Sequence, residues 1–437
     1  MSPERIIYNL LLVLASGAAR IAARFNAKIS EGLEGRKGFK ERWIEGAGTL
    51  ARKGPLVWFH VSSVGEFEQA KPVMDLLVER LGGDVELALT FYSPSGMNYF
   101  RRFDRSKRNP AIRFFEYLPV DTIGNMRFCL DTLKPDLIVY VKFDLWPNLI
   151  LEARRLEVPQ ILVSGTLAPS SRRLWGPARG FFGSLYGSLN AIAAISDEDA
   201  RRFTDNLRGT TEVITAGDTR FDQVCRRIDG STVTLPPALS AGNREFIIAG
   251  STWPKDEAVV IPGFKLLLDT FPEIGLIVVP HEPTPQRLAE IEGELSSAHL
   301  PSIRLSALER LDTFDEQIVI ADGIGYLAEL YRNGSLAYVG GSFTTGVHNV
   351  MEPAVLGLPI LFGPQIDNSY EARQLLELGV GVVVSVPDDF AREAGALLTD
   401  RRLLQTKGQM GRTFIRNHCG AALHCIDLIE RHLRTKG

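Results

Sequence analysis

Residues suited to chemistry gather in short strings, and the densest is Leu336–Ala354, LAYVGGSFTTGVHNVMEPA. Leu336–Val339 is a strand-like apolar run, ended by Gly340 and Gly341. A small polar loop follows, carrying Ser342, His348 and Asn349, and Met351-Glu352-Pro353 then opens a helix, where an early proline sacrifices no hydrogen bond. Strand, glycine turn and helix start together form a receptacle for phosphate: free N–H groups and the positive helix end face the anion, and glycine lets it come close. Glu352 at such a start is placed to accept from two ribose hydroxyls. The glycines alone would equally describe an ordinary turn with a capping acid.

A second set lies earlier in the chain. Glu66 follows Ser62-Ser63-Val64-Gly65, Ser93 follows a strand-like run, and Lys142, Asp144 and Ser164 stand just past two others. Open α/β sheets bind ligands at the carboxyl ends of their strands, which is where these groups fall. Ser196-Asp197-Glu198-Asp199 contains a D-x-D string, but a serine followed by acids reads better as a capped helix start than as a metal site. The four cysteines show no metal-binding spacing, and reduced thiols are expected. No cofactor or metal is anticipated.

The elements that position these groups can be laid out along the 437 residues. A hydrophobic content of 45% and a net charge of −3 indicate two globular domains with no basic field for nucleic acid. Ile6–Ala19 is apolar and flanked by Arg20, Arg24 and Lys28. At roughly 21 Å it falls short of a ~30 Å hydrocarbon core, so a monotopic or marginal anchor is expected, its basic flank on anionic lipid. Strand-like runs then alternate with helical segments on both sides of a proline-containing stretch, the signature of doubly wound α/β domains. The expected division is a membrane-associating segment 1–28, a domain 29–222, a linker 223–244, a second domain 245–405, and a helical tail 406–437 packing back on the first domain. Only the second half carries glycine-rich ligand turns, at Gly250-Ser251-Thr252, Pro280-His281, Ile324-Gly325-Tyr326 and the 340–354 stretch. That asymmetry assigns a nucleotide donor to the C-terminal half and an acceptor to the N-terminal half.

The ordered strings HVSSVGE (60–66), TFYSPSG (90–96), LWPN (145–148), GDTRFD (217–222), AGSTWPKDE (249–257), VPHEP (279–283), DGIGYL (322–327), HNVMEPA (348–354) and LFGPQIDN (361–368) resemble the 3-deoxy-D-manno-oct-2-ulosonic acid (Kdo) transferases. The resemblance implies the GT-B fold, with two Rossmann-like domains facing across a cleft. It also implies transfer of Kdo from CMP-Kdo to a lipid A precursor at the cytoplasmic face of the inner membrane, with inversion and without metal. Glu66 matches the general base, Asp144 an acid beside the acceptor, and Arg220 a basic position. Ser63, Gly65, Ser93 and Lys142 fall on the acceptor side. Ser251, Thr252, Pro280, His281, Ile324, Gly325, Tyr326, Gly340, Gly341, Ser342, His348, Asn349, Val350, Met351 and Glu352 fall on the donor side. Lys142, Thr166, His281 and Tyr326 depart from the common family pattern. His60, His299 and His432 read as structural. The alternatives are another GT-B nucleotide-sugar enzyme, such as a lipid hexosaminyl transferase or an epimerase, and a non-catalytic sugar-nucleotide or lipid binder.

Overall fold

The computed structural model describes residues 3–102, 108–230, 233–239 and 244–434. The chain divides into two units, residues 1–223 with 418–437, and residues 224–417. The first unit contains β1 (Leu56–Val61), β2 (Glu86–Phe91), β3 (Ile112–Tyr117), β4 (Leu137–Val141), β5 (Gln160–Gly165), β6 (Ala191–Ala194) and β7 (Glu212–Thr215). They form one parallel sheet in the order β3-β2-β1-β4-β5-β6-β7. Helices cover both faces, so the strands are apolar almost throughout rather than alternating. Trp58 joins Trp43, Met126 and Leu149 on one face, while Val57 and Phe59 join Ala70, Leu77 and Ile426 on the other.

The second unit repeats the plan with β8 (Phe246–Thr252), β9 (Gly275–Pro280), β10 (Ser302–Arg304), β11 (Ile318–Ile320), β12 (Gly334–Val339), β13 (Ile360–Phe362) and β14 (Gly381–Val383). The order is β10-β11-β9-β8-β12-β13-β14, again parallel. Each unit is Rossmann-like, which fits the expected GT-B fold. The second sheet turns back at its β11-β10 edge, and the order reverses at the middle of each sheet, between β1 and β4 in the first and between β8 and β12 in the second. Crossovers leave those two strands in opposite directions and open a crevice at their carboxyl ends.

Three local features differ from the expectation. The helix Thr219–Asp229 runs into the segment expected to be an irregular linker, because Val224, Cys225 and Ile228 share a buried face. Residues 231–232 and 240–243 of that segment lie outside the described residues. The helix Arg401–Asn417 belongs to the second unit, and the tail joins the first only from His418, through the helix Ala421–Arg434. Cys129 and Cys425 are buried free thiols, but Cys225 and Cys419 are disulfide-bonded rather than reduced, since spacing along a chain carries no information on bonding.

The N-terminal helix spans Pro3–Ala22, longer than the apolar run, and none of its residues is buried. Its 20 residues reach about 30 Å, long and apolar enough to cross a membrane. Its base is fastened to the first unit. Arg5 donates to Glu152 at 2.6 Å and to Asn148 at 2.9 Å, and the Tyr8 hydroxyl donates to Asp121 Oδ2 at 2.8 Å. Asp121 also accepts the N–H groups of Asn148 and Leu149, each at 2.9 Å, at the start of the helix Pro147–Arg155.

Candidate functional site

In the first unit the crevice is built on the ends of β1 and β4. Ser63 caps the helix Val64–Leu81, and its hydroxyl accepts from Glu66 N at 3.4 Å. The string S-x-x-E would normally fold the acid back onto its own cap. Here Glu66 Oε2 accepts instead from Ser62 N at 2.5 Å, and Oε1 has no partner among the described residues. Glu66 is buried at the foot of the crevice. Burial pushes its carboxyl above the usual range, the negative Asp144 adds to this, and the Ser62 N–H, His60 and Lys142 oppose it.

Asp144 is shifted the other way. Burial acts to raise it, but hydrogen bonds from His60, Ser62 and Trp146, with the His60 electrostatic attraction, outweigh burial and hold it below the usual range. The Ser62 hydroxyl donates to Asp144 Oδ2, so this residue bridges both carboxylates. Two neighbouring carboxyls pushed apart in proton affinity are suited to different tasks: Glu66 to take up a proton, Asp144 to stay charged. Lys142 sits at φ +65° and Ser164 at φ +51°, conformations non-glycine residues seldom adopt. Strain of this kind is held at strand ends where a side chain must be re-aimed, and no sequence pattern announces it.

Arg220 lies at the start of the helix Thr219–Asp229. It pairs with Asp218, Nη2 to Oδ2 at 2.7 Å, and not with Asp222, which accepts from Gly420 N at 2.8 Å instead. Gln69, one turn beyond Glu66, donates to Asp218 at 3.1 Å and accepts from Thr219 through its carbonyl at 2.8 Å. Arg220 is thereby tied to the helix that carries Glu66. Ser93 caps the helix Pro94–Arg102 with its hydroxyl 3.1 Å from Gly96 N, and Gly65 faces open space. Asp199 is occupied by Leu167 N at 2.7 Å and by the Ser196 hydroxyl, a capping arrangement.

In the second unit the corresponding place is the ends of β8 and β12. Ser251 has φ +55°, and the β8 register slips between Gly250 and Thr252. A Cβ on Gly340 would lie 2.4 Å from Ser251 O, so the two turns touch backbone to backbone. Asp256 clamps them together: Oδ2 accepts from Gly341 N and Trp253 N, each at 2.9 Å, and Oδ1 from the Tyr338 hydroxyl at 2.8 Å.

The turn differs in detail from the expected row of free N–H groups. Thr344, Thr345 and Gly346 donate to Gly341 O, and His348 N donates to Gly340 O. The loop closes on itself, and the N–H groups of Ser342, Phe343, Asn349 and Val350 are left without a partner among the described residues. The following helix, Met351–Leu356, has six residues, so its dipole contributes less than a full helix would. Several expected donor contacts also turn inward. The Ser342 hydroxyl is buried and accepts from Gly363 N at 2.6 Å, and the Thr252 hydroxyl donates to Glu257 at 2.7 Å. Glu352 Oε1 already accepts from Arg227 Nη1 at 2.8 Å. Val350, Met351 and Pro280 are buried and can offer only backbone. Ile324 is 82% exposed, Gly325 has φ +93°, and Tyr326 lines a groove of ≈ 460 Å³ with Asp322 and Gly323.

His348 and His281 stack with ring centroids 4.5 Å apart, and Trp253 covers His281 at 4.9 Å. Trp253 Nε1 donates to His348 Nε2 at 2.9 Å. Indole is a donor only, so that nitrogen is unprotonated and Nδ1 carries the hydrogen of the neutral ring. Burial and the neighbouring His281 lower the His348 pKa, against the pull of Asp256, and keep it neutral.

Trp253, Asp256, Gln69 and His60 were not singled out from the sequence as site residues. Trp253 and Asp256 stand within AGSTWPKDE and His60 opens HVSSVGE, so the strings held them without showing what they touch.

Comparison with known proteins gives these sites a context. Residues 34–223 match the family described as 3-Deoxy-D-manno-octulosonic-acid transferase (kdotransferase). The chain is 26% identical to the 3-deoxy-D-manno-octulosonic acid transferase of Haemophilus influenzae, over 86% of this chain and 87% of that one. It is 25% identical to those of Rickettsia felis (80% and 73% of the two chains) and Aquifex aeolicus (81% and 89%). Among solved structures, UDP-GlcNAc 2-epimerase from Neisseria meningitidis shares the fold, with a TM-score of 0.57 at 13% identity over 87% of this chain and 100% of that one. A Kdo transferase family domain thus matches most of the first unit, and relatives named 3-deoxy-D-manno-octulosonic acid transferase match this chain across both units.

Proposed function

We propose that this protein moves Kdo from CMP-Kdo to a lipid A precursor of the lipid IVA kind, with inversion at the anomeric carbon and Glu66 as general base. The observation that carries this reading is the pair of opposed carboxyls at the β1/β4 reversal. A base must hold a proton affinity high enough to take a hydroxyl proton, and burial beside Asp144 raises that of Glu66. The acceptor hydroxyl gives its proton to Glu66 Oε1 as its oxygen bonds to the anomeric carbon. The bond from that carbon to the CMP phosphate oxygen breaks on the opposite face, and CMP leaves with the electron pair.

Asn349 and Val350 N–H and the Nδ1–H of His348 receive the phosphate, and Glu352 with the groove at Tyr326 receives ribose and cytosine. Arg220 balances the Kdo carboxylate or the leaving phosphate. No step calls for a metal. The exposed apolar helix Pro3–Ala22, with Arg20 in its last turn and Arg24 and Lys28 beyond it, holds the protein at the cytoplasmic face of the inner membrane beside its lipid substrate.

The test is a transfer assay with fresh CMP-Kdo and a tetraacylated lipid A precursor, read by mass spectrometry, wild type beside Glu66→Ala. Kdo additions in the wild type that are largely lost in the variant are expected. Active folded protein that binds CMP but adds nothing would assign another acceptor, and failure to bind CMP would overturn the reading of the second-unit turn.

A further inference from the structure

We propose that His60 is a positioning residue, the middle link of a one-way hydrogen-bond chain that starts at Trp58 and fixes Asp144 so that its Oδ1 faces the acceptor. This rests on the reading of Glu66 and Asp144 as acceptor-side acids. The direction of the chain follows from what each group can do. Trp58 Nε1 can only donate, and it lies 2.8 Å from Thr90 Oγ1. The Thr90 hydroxyl therefore accepts there. Its own proton needs an acceptor because Thr90 is fully buried, and the one available among the described residues is His60 Nδ1, at 2.8 Å. With Nδ1 accepting, the ring proton sits on Nε2, which donates to Asp144 Oδ2 at 2.9 Å.

The end of the chain is what makes it more than packing. His60 is wholly buried in a strand whose other residues are apolar or aromatic, where an aliphatic side chain would fill the space. Instead it delivers a hydrogen bond across the β1/β4 reversal to the Asp144 carboxylate. The Ser62 hydroxyl and Trp146 Nε1, at 3.1 Å, converge on the same oxygen. Three donors therefore hold Oδ2, and Oδ1 has no partner among the described residues. Glu66 repeats the pattern, with Oε2 held by Ser62 N and Oε1 without a partner. Two carboxylate oxygens of one crevice are thus left to a ligand, one on the carboxyl of raised and one on the carboxyl of lowered proton affinity, which suits a polyhydroxylic acceptor. The titratable groups that act on the ring are Asp144 and Glu66, and Lys142 faces Glu66.

The test uses the full chain in detergent or nanodiscs, with nitrogen-15 histidine and nuclear magnetic resonance, His60→Gln serving to assign the ring. A neutral Nε2–H tautomer is expected at neutral pH, and Thr90→Val should erase that preference. In the transfer assay, His60→Leu should lower kcat by about 10- to 100-fold, the worth of one hydrogen bond to a charged group, with KM for CMP-Kdo unchanged. His60→Gln, which can still donate an N–H, should recover most of the loss. An Nδ1–H tautomer, an imidazolium, or a folded His60→Leu protein with wild-type kcat would overturn the proposal. If His60→Leu does not fold, Thr90→Val carries the same kinetic expectation and the same refutation. The tautomer is read without turnover, so failure of this chain is distinguishable from failure of Glu66 as base, which Glu66→Gln reports separately.

Discussion

Replacing Glu66 by Gln tests the catalytic reading with the least disturbance, because glutamine keeps the size of the side chain and can still accept from Ser62 N, 2.5 Å away. It cannot take a proton. General-base catalysis contributes about 10²- to 10⁴-fold, or about 3–5 kcal/mol of barrier, so kcat should fall by that factor while the affinity for CMP stays at the wild-type value. Stability should move the other way. Burial, aided by Asp144, raises the Glu66 pKa in the folded protein. A raised carboxyl contributes stability that is fully present below its unfolded value and is lost as pH rises through its folded one. Wild type should therefore lose ground to Glu66→Gln between about pH 5 and about pH 8, with little difference at the acid end. The assay pairs mass-spectrometric turnover with calorimetric melting of both proteins at the two pH values. A variant that keeps more than about a tenth of wild-type turnover would refute the base assignment, which claims at least 10²-fold. A variant that loses stability relative to wild type as pH rises would refute the electrostatic argument.

Further expectations follow from the same geometry. Gly340→Ala places a methyl 2.4 Å from Ser251 O and 2.8 Å from Thr252 Cα, so the two turns must separate; a loss of about 1–3 kcal/mol on melting and a loss of CMP binding by calorimetry are expected. Trp253→Phe keeps an aromatic ring over His281 but removes the donor that fixes His348, and CMP affinity should fall by about 3- to 10-fold, the worth of one hydrogen bond. Burial pushes Asp121 up to about 7, against the Asn148 N–H and the Tyr8 hydroxyl, so its contribution to stability is lost as pH rises from about 4 through about 7. Tyr8→Phe should cost about 1 kcal/mol and loosen the base of the N-terminal helix, read as faster amide exchange over Arg5–Leu12.

The order of strands and helices was legible in the sequence because fully covered parallel strands read as apolar runs closed by glycine and serine. The Ser62–Glu66 and Gly340–Glu352 strings were legible because a strand–turn–helix junction compresses its chemistry into a few residues. The helix through 223–229 was hidden by a segment of small residues and prolines just beyond it, although Val224, Cys225 and Ile228 held the helical spacing. The inward use of Ser342 and Thr252 was hidden because a hydroxyl in a polar string gives no sign of which way it points.

What the sequence determined by itself was the class of each element and the inventory of reactive groups, since both depend on neighbours within one turn or one strand. The tertiary structure alone decided which groups meet. The strand orders put β1 beside β4 and β8 beside β12, although 75 residues separate Val61 from Leu137 and 81 separate Thr252 from Gly334. That adjacency brings Asp144 to His60 and Ser62, and Gly340 to Ser251. It also sets the two carboxyls apart in proton affinity, because burial and hydrogen bonding act through space and sequence distance does not enter them.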